Sequence, residues 1–339
     1  MIMAPKERYG YAVARLRALE NRLLDESVLQ RMIDCDTLEA ALKVLGETPY
    51  SAWLMELKSP LEFDRAIEAE LHHSYTEIET FVPDGELVGL LRLVYDVHNV
   101  KTLLKSQFLT AQGEKRRLDL LTSLGTIDTD RLILAIEGEE YWELPYGFNQ
   151  AIPEALAVWE QTHNALAAEK ILDGVYFKAL RELSAKLGME QVEKWVRARI
   201  DGENLKTLLR LSRIDMDHGT AASFLHEGGS LPINRLTPLV TEPVENWGRL
   251  LAFADIGALL APFSEGESFN SLLVQYEKEL DNFITGVIAE SRFGAFEPGN
   301  VVRYLWTKEI EAKNLRVVLV SVANGVEKDA IRGLLRNVR

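Results

Sequence analysis

The chain has 339 residues, enough for two or three domains, and its 47% hydrophobic and 27% charged residues exclude wholesale disorder. A net charge of −14, from 38 basic and 52 acidic residues, argues against nucleic acid or an anionic lipid surface as the main partner. One cysteine, Cys35, excludes a disulfide framework or a multi-cysteine metal site and points to an intracellular chain.

The amino terminus carries no apolar run of signal-peptide length and meets an acid at Glu7. From Tyr9 to Asp34, Val13, Leu16, Leu19, Leu23, Leu24, Leu29 and Ile33 follow a three-and-four spacing that predicts an amphipathic helix or two. Thr37 to Gly46, Leu118 to Gly125 and Thr220 to Gly228 each read as a short apolar helix ended by a left-handed glycine cap. Prolines 60, 83, 145, 153, 243 and 298 fall between periodic segments and mark helix boundaries. The stretch from Glu137 to Pro153 reads as a connection whose aromatic part, Glu139 to Phe148, packs on its own domain or serves as a contact loop. Leu250 to Phe263 is the longest nearly apolar run. It carries Asp255 and is too short to cross a bilayer, so it reads as a buried core helix. No segment alternates apolar and polar residues strictly, and the predicted class is all-α.

Self-similarity is the strongest signal. Asp96-Val-His-Asn99-Val-Lys101-Thr-Leu-Leu104, Asp201-Gly-Glu-Asn204-Leu-Lys206-Thr-Leu-Leu209 and Glu311-Ala-Lys-Asn314-Leu-Arg316-Val-Val-Leu319 share an acid, an asparagine, an aliphatic, a base and two aliphatics. The asparagines lie 105 and 110 residues apart, and apolar residues recur four and eight positions before each. The pattern predicts three helical units, 1–113, 114–216 and 217–339. Acid and asparagine, three apart, share one helix face, while the flanking aliphatics fall on opposite sides, as in a continuous helix deep in a bundle. Gly202 offers the alternative of a break at the motif. A buried acid needs its hydrogen bonds met and, if ionised, a cation; Arg15, Arg17 and Arg22 are available. The plain reading is that the trio fixes helix register, the functional one that it forms a partner surface repeated three times.

Motifs for catalysis are sparse. A phosphate-cradling loop, a dinucleotide fingerprint, a nucleophile elbow and a His-Glu-x-x-His pair are all missing. Asp34 and Asp36 flank Cys35 and disfavour a thiolate nucleophile. Glu70-Leu-His-His73 and Glu160-Gln-Thr-His163 resemble halves of a ferritin-type di-iron site, which leaves a helical metal-dependent enzyme as the alternative; exposed helix residues are the plainer reading. Trp195 and Trp306 sit on the motif helices and are expected in the core.

Tyr9-Gly-Tyr-Ala-Val-Ala-Arg-Leu-Arg-Ala-Leu19 with Leu45-Gly-Glu-Thr-Pro-Tyr50, the two Asn-aliphatic-Lys-Thr-Leu-Leu copies, and Trp306-Thr-Lys-Glu-Ile-Glu-Ala-Lys-Asn-Leu-Arg316 together resemble the C subunit of the V/A-type ATPases, the counterpart of the eukaryotic d subunit. The resemblance spans about residue 8 to 339 and is weakest over 114–170 and 220–280. It implies three helical-bundle domains in a pseudo-three-fold funnel and a non-catalytic central-rotor part. That part would sit peripherally on the cytoplasmic side of the membrane and use no cofactor. Implied partners are the proteolipid rotor ring and central-stalk subunits of the D and F type, with membrane contact only through the ring. The repeat residues Asp96, Asn99, Lys101, Asp201, Asn204, Lys206, Glu311, Asn314 and Arg316 are then structural.

Overall fold

The computed structural model describes residues 7–111, 113, 115–214, 216–260 and 268–338, and among these there are helices, turns and loops but no strand. The all-α expectation holds. The chain gathers into two compact units, one of Met1–Pro83 with Met189–Arg339 and one of Asp84–Gly188.

The first unit opens with α1 (Gly10–Leu19), α2 (Glu26–Ile33), α3 (Leu38–Leu45), α4 (Ser51–Leu54) and α5 (Phe63–Glu79). The second holds α6 (Gly85–Ala111), α7 (Thr129–Glu137), α8 (Phe148–Thr162) and α9 (Ala165–Leu187). The chain then returns to the first unit through α10 (Glu190–Leu211), α11 (His218–Ala222), α12 (Ile233–Leu236), α13 (Trp247–Leu250), α14 (Phe269–Ala289), α15 (Gly299–Ala323) and α16 (Lys328–Leu334). Side-chain caps start many of these helices by accepting orphan backbone N–H groups: Asp25 for α2, Thr37 for α3, Asp128 for α7, Asn164 for α9 and Asp217 for α11. Gly188 ends α9 in the left-handed conformation, φ 59°, that spares a glycine the Cβ clash.

Three long helices carry the Asn motifs, and each runs through its motif unbroken: α6 for Asn99, α10 for Asn204 and α15 for Asn314. Each packs along a different long helix, α6 on α9, α10 on α14 and α15 on α5. The repeat counted along the sequence and the packing in space are therefore out of phase. The end of one copy packs against the long helix of the next, and the end of the third against that of the first. Both α10 and α15 bury residues around their whole circumference, including Trp195 and Trp306, whose rings meet edge to face at 6.2 Å.

Four local expectations change. Gly46 ends α3 with a right-handed φ of −66°, and Gly125 is likewise absent from the positive-φ glycines, so of the three expected left-handed caps only Gly228, at φ 98°, has that conformation. The segments before Gly125 and Gly228 form only a 3-10 turn, Leu118–Leu120, and the short α11. Pro153 lies inside α8 rather than at its edge. Leu250 to Leu260 is no single core helix: α13 ends at Leu250, the chain turns, and a 3-10 segment runs from Asp255 to Leu260, while 261–263 lie outside the described residues. The turn folds back so tightly that a Cβ at Gly257 would stand 2.2 Å from the Leu251 carbonyl oxygen. It leaves Phe253 exposed and buries Leu251 and Ile256.

Candidate functional site

The repeated trio builds the same backbone joint three times. The side-chain amide of Asn99 donates from Nδ2 to the carbonyl of Thr122 at 2.8 Å and accepts from the N–H of that same residue at 2.9 Å. Asn204 holds His226 in the same two-way grip, 2.8 Å in each direction, and Asn314 holds Arg336 at 2.9 Å in each. An amide suits this task because it offers one donor and one acceptor side by side, matching a peptide group. All three asparagines are fully buried.

The acid one turn earlier caps the segment that follows. Asp96 accepts from the Ile127 N–H at 2.9 Å and from the Thr126 hydroxyl at 2.8 Å. Asp201 accepts from the N–H groups of Ser230 and Leu231 at 2.7 and 3.0 Å. Burial pushes both carboxyls above their ordinary pKa, and the backbone and side-chain donors pull partly back. Their hydrogen bonds come from backbone N–H groups and a hydroxyl, and the charges that help to pull the two pKa values back belong to Arg92 and Arg197, not to the three arginines the sequence suggested. Arg15 and Arg22 pair instead with Glu77 on α5, and Arg17 donates to the Arg292 carbonyl.

The capped loops reach the acids through glycine. A Cβ at Gly125 would stand 2.4 Å from Asp96 Oδ1, and one at Gly229 only 2.0 Å from Asp201 Oδ1. Close approach, not a helix cap, is what these two glycines supply.

The third copy differs. Glu311 accepts from the N–H of Leu24, 287 residues away in sequence, at 2.6 Å, and from the Tyr50 hydroxyl at 2.8 Å. Leu24 precedes Asp25, the cap of α2, just as Ile127 precedes Asp128, the cap of α7. The amino-terminal segment therefore stands where the other copies use the loop after their own motif helix. The longer glutamate also meets Lys308 Nζ at 2.6 Å, and Lys308 reaches Glu70 Oε1 at 3.1 Å. Lys308 is 1% exposed. Burial lowers its pKa, but Glu311 and Glu70 outweigh that and hold it above the ordinary lysine value. Burial raises the Tyr50 hydroxyl well above its usual range, and the Glu311 charge adds to the rise.

The bases point outward to the neighbouring long helix. Lys101 pairs with Asp173 on α9, Lys206 with Glu277 on α14 at 3.2 Å, and Arg316 with Asp64 on α5 at 2.9 Å. These partly exposed pairs are worth well under 1 kcal/mol each and serve register more than stability. Beside them, Asp281 on α14 accepts from Lys313 at 2.7 Å and from Arg336 at 2.9 Å, fastening the carboxy-terminal segment that Asn314 grips.

Glu70, expected on an exposed face, is buried, with its oxygens taken by Lys308 and by Trp53 Nε1 at 2.8 Å. His73, Glu160 and His163 are exposed, and no group of three His, Cys, Asp or Glu that could hold a metal occurs among the described residues. In the aromatic connection Leu144 and Phe148 are buried whereas Trp142 is 74% exposed. Sequence reasoning missed Lys308, Tyr50, Asp281 and Gly229, and missed the close approach that Gly125 allows. Lysine and aspartate are usually solvated, so only the three-residue spacing of Lys308 and Glu311 could have flagged a pair.

Residues 12–334 match the family described as ATP synthase (C/AC39) subunit. The chain is 26% identical to the A-type ATP synthase C subunit of Methanocaldococcus jannaschii, covering 96% of this chain and 86% of that one. It is 24% identical to the V-type sodium ATPase C subunit of Enterococcus hirae, covering 95% and 96%. Against the A-type ATP synthase C subunit of Thermococcus gammatolerans the identity is 26%, over 96% and 89%. No described helix is long and apolar enough to cross a membrane.

Proposed function

The chain belongs to the ATP synthase (C/AC39) subunit family, non-catalytic and peripheral components of rotary A/V-type ATPases, and from that premise we propose that it is the rotor part joining the central stalk to the proteolipid ring. The observation that carries this reading is the joint built three times from acid, asparagine and backbone. A torque-bearing spacer must transmit force without deforming. Buried, fully paired polar joints resist deformation because every small opening strands a donor or acceptor away from water. The joints also recur with the near-constant spacing that three similar helical units, 1–113, 114–216 and 217–339, in a pseudo-three-fold funnel would need. The partners in this reading are the ring and the D- and F-type stalk subunits on the cytoplasmic side, with no direct lipid or nucleic-acid contact.

Native mass spectrometry of tagged protein drawn gently from its own membranes tests the role. One copy with a proteolipid ring and stalk subunits is the expected result. A lone chain, or one carrying stoichiometric iron or manganese, would overturn it. In the assembled complex, weakening a joint at Asp201 or Asn204 should lower the melting temperature and the ion movement per ATP together.

A further inference from the structure

In the first two joints, gripped and capped residues share one short loop, Thr122 to Ile127 and His226 to Leu231. Their two contacts are tied covalently, so neither can open far while the other holds. In the third joint the gripped residue, Arg336, lies near the carboxy terminus, and the capped residue, Leu24, near the amino terminus. Nothing covalent links them locally. The chain that leads to Leu24 is the amino-terminal segment: the 3-10 turn Glu7–Tyr9, α1 and the 3-10 turn Glu20–Arg22.

This segment touches both sides of the joint. Toward α5, Arg15 and Arg22 each reach Glu77 at 3.3 Å, and the Arg15 guanidinium lies 4.4 Å from the centre of the Phe81 ring. Toward α15, Glu20 pairs with Arg303 and Leu24 donates to Glu311, while Arg17 donates to the carbonyl of Arg292 in the turn between α14 and α15. The Glu77 fastenings are half exposed on the arginine side, 38% and 56%. Beneath the segment lies a cavity of about 280 Å³, lined in part by Glu20, Leu23, Ile288, Arg303 and Thr307. At its edge, Arg303 Nε is buried without a hydrogen-bond partner. A joint whose two contacts share no loop, and whose covering segment is held by partly exposed ion pairs, is the place where local opening is cheapest.

We propose that Glu7–Leu24 is a releasable strap across the one of the three joints that the chain does not close covalently. Its release uncaps Glu311 and loosens α15 from the amino-terminal helices. In a rotor part the closed strap keeps the load path continuous between the chain's two ends. That consequence rests on the role proposed above, whereas the opening itself is read on the isolated chain.

Hydrogen–deuterium exchange resolved to single amides tests it. The Leu24 amide, corrected for intrinsic rate, should exchange at least about tenfold faster than those of Ile127 and Leu231, its equivalents in the other joints. Raising NaCl from 0.1 to 1 M shortens the screening length from about 10 to 3 Å and should widen that gap. Glu77→Gln, which removes the charge that both arginines pair with at a position 19% exposed, should speed exchange at Leu24 about threefold or more and leave Ile127 and Leu231 unchanged. Equal protection at the three amides, or a Leu24 rate indifferent to Glu77→Gln, would overturn the strap.

Discussion

Replacing Asn204 by alanine isolates what one joint is worth. The change deletes both 2.8 Å bonds to His226 and strands a peptide N–H and C=O against the buried face of α10. Each stranded group carries a penalty of about 1–3 kcal/mol. His226 is only partly buried, so water relieves some of this, and a net loss of about 2–3 kcal/mol is expected. For a cooperative unit of about 230 residues that is roughly 4–6 °C in melting temperature. Asn204→Asp, nearly isosteric, should be at least as damaging, because a carboxylate cannot donate to the His226 carbonyl and repels it. Lys206→Met, two residues on, loses partly exposed ion pairs to Glu277 at 3.2 Å and Glu203 at 3.7 Å and should change stability by less than about 1 kcal/mol. Urea melts of the three variants, with exchange at the His226 amide, make the comparison. If Asn204→Ala falls by under 1 kcal/mol and the His226 amide stays protected, the grip is incidental and the rigidity argument fails with it.

The two glycine environments make opposite predictions. Gly229→Ala drives a methyl into the Asp201 carboxylate and should destabilise by about 2–4 kcal/mol, whereas Gly286→Ala, exposed in α14 with no heavy atom within 4 Å of the added Cβ, should stabilise by about 0.5–1 kcal/mol; thermal melts decide both. Lys308→Met leaves Glu311 and Glu70 without their cation and should lower stability by about 3–5 kcal/mol at neutral pH. Because the folded-state pKa of Lys308 is raised, its contribution is full below the unfolded value, about 10.5, and disappears as pH climbs through the raised one. The gap in unfolding free energy between wild type and Lys308→Met should therefore be flat to about pH 10 and close above it; a gap that widens there would refute the assignment.

Much of the fold was legible along the chain. The spacing of Asp96 and Asn99, Asp201 and Asn204, and Glu311 and Asn314 placed each pair on one face of a buried helix, because helical periodicity is local and survives in any context. The same locality explains the correct reading of Trp195 and Trp306 as core. Three-and-four spacing, however, cannot say what a buried acid touches. The partners of Asp96 and Asp201 are mostly backbone N–H groups some 30 residues downstream, and every residue but proline carries one, so no side chain announces them. Gly125 was a visible letter read for the wrong reason, since close approach to a carboxylate leaves the same glycine as a helix cap, and Gly229 drew no reading beside Gly228. Glu70 was read as solvated because its partner, Lys308, comes from 238 residues away. Sequence by itself determined the helices, the three copies and the burial of acid and asparagine in each. Tertiary structure alone decided that each motif helix packs on the next copy's long helix, and that Leu24 completes the third joint. Such closure joins the chain's two ends, and a contact across 287 residues leaves no trace in any local pattern.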